Sequence, residues 1–246
     1  MPKWQNWSGR LNASPQRFQP IYSEAAAAAL AREAKASQLS LRVVGAGHSH
    51  KDLVPTEGII ADLQGLSGVI SSDPDSSSAW VWGGSRIYSL GAALHGHGLA
   101  LPNQGDIDQQ SITGATATGT HGTGKELGNL SSRVVGARIA LASGELVDCS
   151  AEQEPELWQA SRLHLGAFGL ITRLKLALQP IYRLEERTWQ EPLEQLLQNL
   201  QQHVNENRHC EFFWYPQGDT AQVKVINTTD KPARYPIGSE GERCGF

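Results

Sequence analysis

The spacing of apolar and polar residues changes period several times along the chain, and each change marks an element. Residues 24–37 are alanine-rich and predict a helix, with Ser23 placed to accept a hydrogen bond from a free first-turn amide. A β-branched strand at 41–44 runs into Gly45-Ala46-Gly47, and another at 59–62 follows Pro55 and Gly58. Val69-Ile70 and residues 79–82 flank the turn residues Asp73-Pro74-Asp75, which predicts a hairpin or two neighbouring strands. Ile87, Leu90 and Leu94 then share one helical face, with Ser85 read as the cap and Gly96 and Gly98 as the stop.

Residues 102–128 break this rhythm. They are mostly Gly, Ala, Ser and Thr, with little that is large enough to bury, and read as one long functional loop. Beyond them, residues 138–141 and 146–149 flank Ala142-Ser143-Gly144-Glu145, a hairpin signal. Residues 154–162 read as a helix with Pro155 in its first turn. In residues 170–178, Thr172, Leu174, Leu176 and Leu178 alternate with Arg173 and Lys175, the pattern of a half-buried strand. Composition shifts after Pro180, where a domain boundary is expected. There Leu193, Leu196, Leu197, Leu200 and Val204 form an apolar helical stripe, followed by strands at 211–215 and 222–226. Short strands interrupted by a few helices predict an α+β fold rather than a regular βαβ alternation.

Composition narrows the function classes. In 246 residues, the formal charge of -4 and the lack of any basic run with interleaved aromatics argue against a nucleic-acid partner. No apolar stretch approaches the length of a membrane span. Residues 1–9 carry Trp4 and Trp7 but no apolar signal core, and Cys149, Cys210 and Cys244 have neither disulfide nor zinc spacing, so the cytoplasm is the expected compartment.

Two segments carry candidate chemistry. The first, Gly45-Ala46-Gly47-His48-Ser49-His50, fails as a Rossmann loop because His stands at the third glycine position and Pro55 and Gly58 leave no room for the helix. It fails as a nucleophile elbow because position 51 is Lys. A metal site at His48 and His50, with His121, lacks a completing carboxylate set, so no metal is assigned; a glycine turn bearing a hydrogen-bonded histidine stays open. The second segment runs Ser111-Ile112-Thr113-Gly114-Ala115-Thr116-Ala117-Thr118-Gly119-Thr120-His121-Gly122-Thr123-Gly124. Its glycines let backbone amides approach an anion and form a concave nest, and its threonines add hydroxyl donors. A diphosphate can be held this way without lysine.

Together with Asn6-Trp7-Ser8-Gly9, Gly98-Leu99-Ala100-Leu101 and Leu165-Gly166-Ala167-Phe168-Gly169-Leu170-Ile171-Thr172, these segments give residues 4–182 a clear likeness. The chain resembles the FAD-linked sugar-lactone and alditol oxidases (L-gulonolactone, D-arabinonolactone and alditol oxidases), a branch of the vanillyl-alcohol-oxidase flavoproteins. The resemblance implies a PCMH-type FAD-binding domain over residues 1–180 and the start of a substrate cap over 181–246. It implies FAD contacts at Gly45, Ala46, Gly47, His48, Ser49, Ser111, Gly114, Thr118, Gly119 and Ile171. His48 is the implied point of covalent attachment to the flavin, and Ser111 an implied substrate contact. His121 is expected to orient its loop, and His95 and His97 to be surface or capping residues. The implied reaction oxidises an alcohol carbon of a sugar lactone or polyol by hydride transfer to flavin N5, with oxygen or another acceptor taking the electrons.

One departure qualifies this. Family members continue well beyond this length, through a cap and a His-Trp-x-Lys segment that supply substrate and acid/base residues. The chain is therefore expected to be a fragment, a frameshifted product or a short relative, its ending at 238–246 resembling neither a strand nor a helix. No catalytic base is named. The competing expectations are a silent flavin-binding remnant and a reductase of the same fold acting on another substrate.

Overall fold

The computed structural model describes residues 2–233. Cys244 and the chain ending at 238–246 lie outside the described residues. The chain divides into two compact units. One comprises Met1–His121 and Asn129–Pro180; the other comprises Gly122–Gly128 and the chain from Ile181.

The first unit opens with a short antiparallel pair, β1 (Trp4–Gln5) and β2 (Asn12–Ala13). β3 (Arg17–Pro20) leads into α1 (Glu24–Ala36), and β4 (Leu41–Val44) and β5 (Ile59–Asp62) follow. Ser23 caps α1 as expected, its Oγ accepting from the Ala26 amide at 3.1 Å. β5 is the central strand of a parallel sheet ordered β3-β5-β4 and is buried along its whole length, as a strand covered on both faces must be. Ala27, Leu30, Ala31 and Ala34 of α1 pack against Ile59 and Ala61. Small alanines allow that close approach.

The larger sheet of this unit is antiparallel. β6 (Val69–Asp73) and β7 (Ser78–Trp82) form the expected hairpin; α2 (Ile87–His95), β8 (Leu99–Ala100) and α3 (Ile112–Ala117) follow. β9 (Val134–Ala140) pairs with β10 (Leu146–Ser150) across the expected turn; then come α4 (Pro155–Arg162), β11 (Leu170–Ala177) and β12 (Gln179–Pro180). The strand order is β10-β9-β11-β7-β6. Ile87, Leu90 and Leu94 of α2 and Ile112 of α3 close one core with Val81, Ile139, Ile171 and Leu174.

Two expectations are corrected here. Ser85 does not cap α2: Arg86 occupies that position without a side-chain bond, while Ser85 Oγ donates to the Trp82 carbonyl at 2.7 Å and accepts from the Gly68 amide at 2.9 Å. The serine serves the preceding turn instead. The segment 102–128 is not one loop, because it contains α3, whose Ile112, Thr113, Ala115, Thr116 and Ala117 are all buried. Small residues suit a helix that is packed closely along most of its length.

In the second unit, β13 (Leu184–Pro192) runs into α5 (Leu193–Glu206), followed by β14 (His209–Trp214) and β15 (Thr220–Thr228), in an antiparallel sheet ordered β13-β15-β14. Leu196 meets Ala221, Val223 and Val225 in its core. Leu197, expected in the buried stripe, is 54% exposed. Among the described residues, no helix is long and apolar enough to cross a membrane.

Glu24, at the start of α1, ties that helix to the antiparallel sheet. It accepts from Arg173 Nε at 2.8 Å, pairs with Arg173 Nη2 and lies 3.5 Å from Arg138 Nη1. The register of β11 against β9 shifts between Ile171 and Arg173, and the Thr172 hydroxyl donates to Glu24 at 2.8 Å. Burial pushes the Glu24 carboxyl up, but Arg173, Thr172 and Arg138 together bring it below the usual range. Removing the carboxylate leaves two partly buried guanidiniums short of a partner, although Arg138 keeps Asp148. Glu24→Ala is expected to cost about 2–3 kcal/mol, somewhat less than breaking a fully buried pair. Urea denaturation of the two chains measures it, and a loss under about 0.5 kcal/mol, the usual surface value, would show that α1 is held by apolar packing alone.

Candidate functional site

A close approach between two backbone segments defines the site. After β4, Gly47 takes φ +66°, a left-handed conformation that glycine adopts readily. Gly45 lies directly against Ser111: a Cβ on Gly45 would stand 1.8 Å from Ser111 Oγ. Ser111 is only 2% exposed and caps α3, its Oγ accepting from the Gly114 amide at 3.2 Å. Behind it, the Ile112 amide donates to the Ser85 carbonyl at 2.8 Å and the Thr113 amide to Gly83 at 3.2 Å. These bonds hold α3 to the end of β7.

The start of the chain hooks onto the same turn. The Trp7 amide donates to the Gly47 carbonyl at 3.1 Å, its indole Nε1 to the His48 carbonyl at 3.1 Å, and Asn6 Nδ2 to the Ser49 carbonyl at 3.0 Å. The indole also stacks on the His48 imidazole, with centroids 5.2 Å apart and planes 11° from parallel, while His50 meets it edge-on. His48 is half-buried; burial, and then the electrostatic effect of Arg86 and of His50, lower its pKa and favour the neutral ring near pH 7.

Between this turn and α3 lies a cleft of about 460 Å³. Gly45, Ala46, Gly47, His48, Ser49, Ser111, Gly114 and Thr118 all line it. Gly119 and Ile171 do not. Gly119 (φ +70°) has no room towards Leu163, and Ile171 is 1% exposed in the sheet core. His121, His95 and His97 are exposed, with His97 Nδ1 3.0 Å from Ser72 Oγ. Among the described residues, no group of three or more His, Cys, Asp or Glu is arranged to hold a metal.

Sequence reasoning passed over His164 and assigned no role to Thr113. Both line the cleft, and His164 is only 6% exposed. A lone histidine between two leucines carries no spacing signal, and only the fold brings it to α3. Its Nδ1 accepts from the Gly166 amide at 2.9 Å. Burial lowers its pKa to about 4, against a smaller opposing hydrogen-bond contact with the Thr113 backbone.

These residues suit a dinucleotide cofactor. A glycine turn presents its backbone, apolar walls come from Val43, Val54 and Leu63, and Thr113 Oγ1 and His164 Nε2 are buried without a well-formed hydrogen bond from the chain. Residues 19–150, just over half of the chain, match the family model described as FAD binding domain, and residues 174–243 match that of D-arabinono-1,4-lactone oxidase. Among solved structures, cholesterol oxidase from Brevibacterium sterolicum aligns with a TM-score of 0.81 at 21% identity, covering 92% of this chain and 47% of that one. 6-Hydroxy-D-nicotine oxidase from Arthrobacter nicotinovorans aligns at 0.74 and 25%, covering 91% and 52%. The architecture is the α+β PCMH-type FAD-binding fold.

Sequence relatives narrow the class. L-gulono-1,4-lactone dehydrogenase of Mycobacterium tuberculosis is 38% identical over 230 residues, covering 94% of this chain and 53% of its own. L-gulonolactone oxidase of Bos taurus is 32% identical over 231 residues, covering 94% and 52%. The chain belongs to the family of the FAD binding domain and is homologous to the FAD-linked sugar-lactone and alditol oxidases. It spans about half the length of these relatives.

The His164 environment has a measurable consequence. Its pKa of about 4 in the fold lies below the value of about 6.5 in an unfolded chain, so between these values the unfolded state binds more protons. Stability from this group is complete above about pH 6.5 and is lost as pH falls towards 4, by on the order of 2–3 kcal/mol. His164→Gln removes the titration. Urea midpoints measured from pH 7 to 4 are expected to fall more steeply for the parent chain; parallel profiles would contradict a buried neutral ring.

Proposed function

We propose that this chain forms the FAD-holding part of an oxidoreductase that acts on an alcohol carbon of a sugar 1,4-lactone or alditol. The observation that carries the reading is the cleft in which the Gly45–Ser49 turn faces the Ser111–Thr118 segment. The relatives supply the substrate class, since their names are those of L-gulono-1,4-lactone and D-arabinono-1,4-lactone oxidoreductases. Bound FAD would supply a two-electron acceptor for the hydride leaving the carbinol carbon.

The chain's own residues have three tasks in this reading. The glycine turn and Ser49 hold the diphosphate through backbone amides and a hydroxyl. Gly114 and Thr118 hold the cofactor from the α3 side; Gly119 and Ile171, outside the cleft lining, act through the backbone geometry of their segments. Ser111 positions α3 against the turn, and because its Oγ accepts from the Gly114 amide its hydroxyl hydrogen is left to donate to a substrate. His48 is the covalent anchor. Its lowered pKa supplies the neutral nitrogen that such a bond requires, and the stacked Trp7 limits its rotation. Free Cys149 and Cys210 suit a reducing compartment such as the cytoplasm.

Two measurements test this. After acid precipitation of the purified protein, yellow colour is expected in the pellet, and His48→Ala is expected to move it to the supernatant. Colour in the supernatant for the parent chain would refute the covalent bond but not cofactor binding. For the reaction, L-gulono-1,4-lactone, D-arabinono-1,4-lactone and alditols are offered to a chain carrying the full length of its relatives, with oxygen or a dye as acceptor. Bleaching of the flavin by a lactone or an alditol is expected, and peroxide release identifies oxygen as the acceptor. No bleaching by any of them would overturn the substrate class.

A further inference from the structure

The cleft contains two buried polar atoms that the chain itself leaves without a well-formed hydrogen bond, Thr113 Oγ1 on α3 and His164 Nε2 on the loop after α4. The His164 loop is tightly fixed. The Leu165 amide donates to the Ala117 carbonyl at 3.1 Å and the Ala167 amide to the His164 carbonyl at 2.9 Å, while Leu165 and Gly166 both take positive φ. The imidazole joins this turn through Nδ1, which accepts from the Gly166 amide at 2.9 Å. An Nδ1 used as an acceptor carries no proton, so the neutral ring must carry its proton on Nε2. The side chain therefore presents an N–H donor in the pocket wall, whose contact with the Thr113 backbone falls short of a well-formed hydrogen bond and leaves it able to donate to a ligand.

We propose that His164 is a cofactor-binding residue, whose Nε2–H donates to an oxygen of the bound dinucleotide, with the Thr113 hydroxyl as a second polar contact beside it. The proposal rests on the cleft being the FAD site. Burial holds the imidazole neutral at physiological pH, so it donates without adding charge. This lets an acidic chain hold an oxygen-rich ligand through neutral donors in the cleft floor. The oxygen belongs either to the diphosphate or to the isoalloxazine carbonyls.

The two ring nitrogens can be separated by substitution. In His164→Asn the amide oxygen can replace Nδ1 as the acceptor of the Gly166 amide, but nothing replaces Nε2. In His164→Gln the amide nitrogen can reach the Nε2 position, whereas the Gly166 bond is lost. FAD affinity is measured by quenching of flavin fluorescence in the full chain on a His48→Ala background, so that uptake is reversible. ADP and riboflavin serve as part-ligand probes, and melting temperature is recorded for each variant.

The expected result is a dissociation constant for FAD raised about ten-fold in His164→Asn and His164→Phe, with His164→Gln close to the parent. Thr113→Val is expected to weaken FAD about three-fold. If ADP affinity falls in step, the acceptor is on the diphosphate; if riboflavin falls and ADP does not, it is on the flavin ring. Either outcome supports the proposal. It is overturned if His164→Asn binds FAD like the parent while His164→Gln is weakened and melts lower, because the histidine would then serve only its turn. Failure of the underlying reading is distinct: neither the unaltered chain nor the His48→Ala parent would take up FAD.

Discussion

The cleft depends on what Gly45 lacks. Ser111 Oγ occupies the space where a side chain at position 45 would begin, so the end of the parallel sheet and the start of α3 meet with nothing between them. That approach sets the spacing of the two faces on either side of the cleft. It also explains why the serine cap is buried: its hydroxyl must stop the helix within the contact itself, where no water can do so. A larger residue at 45 would have to displace the cap and would disturb both faces together. The distinctive glycines here thus record packing as much as ligand contact.

Where periodicity and turn chemistry agreed, the fold was legible. The α1 helix with its Ser23 cap, the hairpins around Pro74 and Gly144, and the alternating β11 strand all lie where their residues place them. α3 was not legible, because a helix made of Ile, Thr, Gly and Ala has no amphipathic stripe; most of it is buried, and its small residues resemble those of a loop. Ser85 misled for a related reason, since a serine before an apolar helix can serve the turn behind it as readily as the helix ahead. β13 passed unnoticed because its Glu, Arg and Gln residues form a largely exposed strand, whose pairing with β15 supplies what its side chains do not.

The site divides along the same line. The glycine and threonine segments could be read directly because their composition is unusual and their order along the chain is distinctive. Gly119 and Ile171 were carried over with them, yet they stand back from the cleft, one beside Leu163 and one in the sheet core. His164 went unread because it stands one residue before the Leu165–Thr172 segment and has no spacing signal of its own. Its position follows only from the bond between the Leu165 amide and the last turn of α3, a tertiary fact. Local signals thus pointed to the parts of the cleft lining formed by continuous chain, and missed what a distant loop adds to it.

The hook formed by Asn6 and Trp7 bears on where this protein can be trimmed. All the cleft-lining residues lie at position 42 or beyond, and the family match begins at residue 19. A shortened chain starting there would keep every wall of the cleft. It would nonetheless strip three consecutive carbonyls, those of Gly47, His48 and Ser49, of the donors that hold them, and would remove the indole from the face of His48. The boundary of the working module is therefore drawn by backbone support, well outside the boundary that the pocket or the family match would suggest.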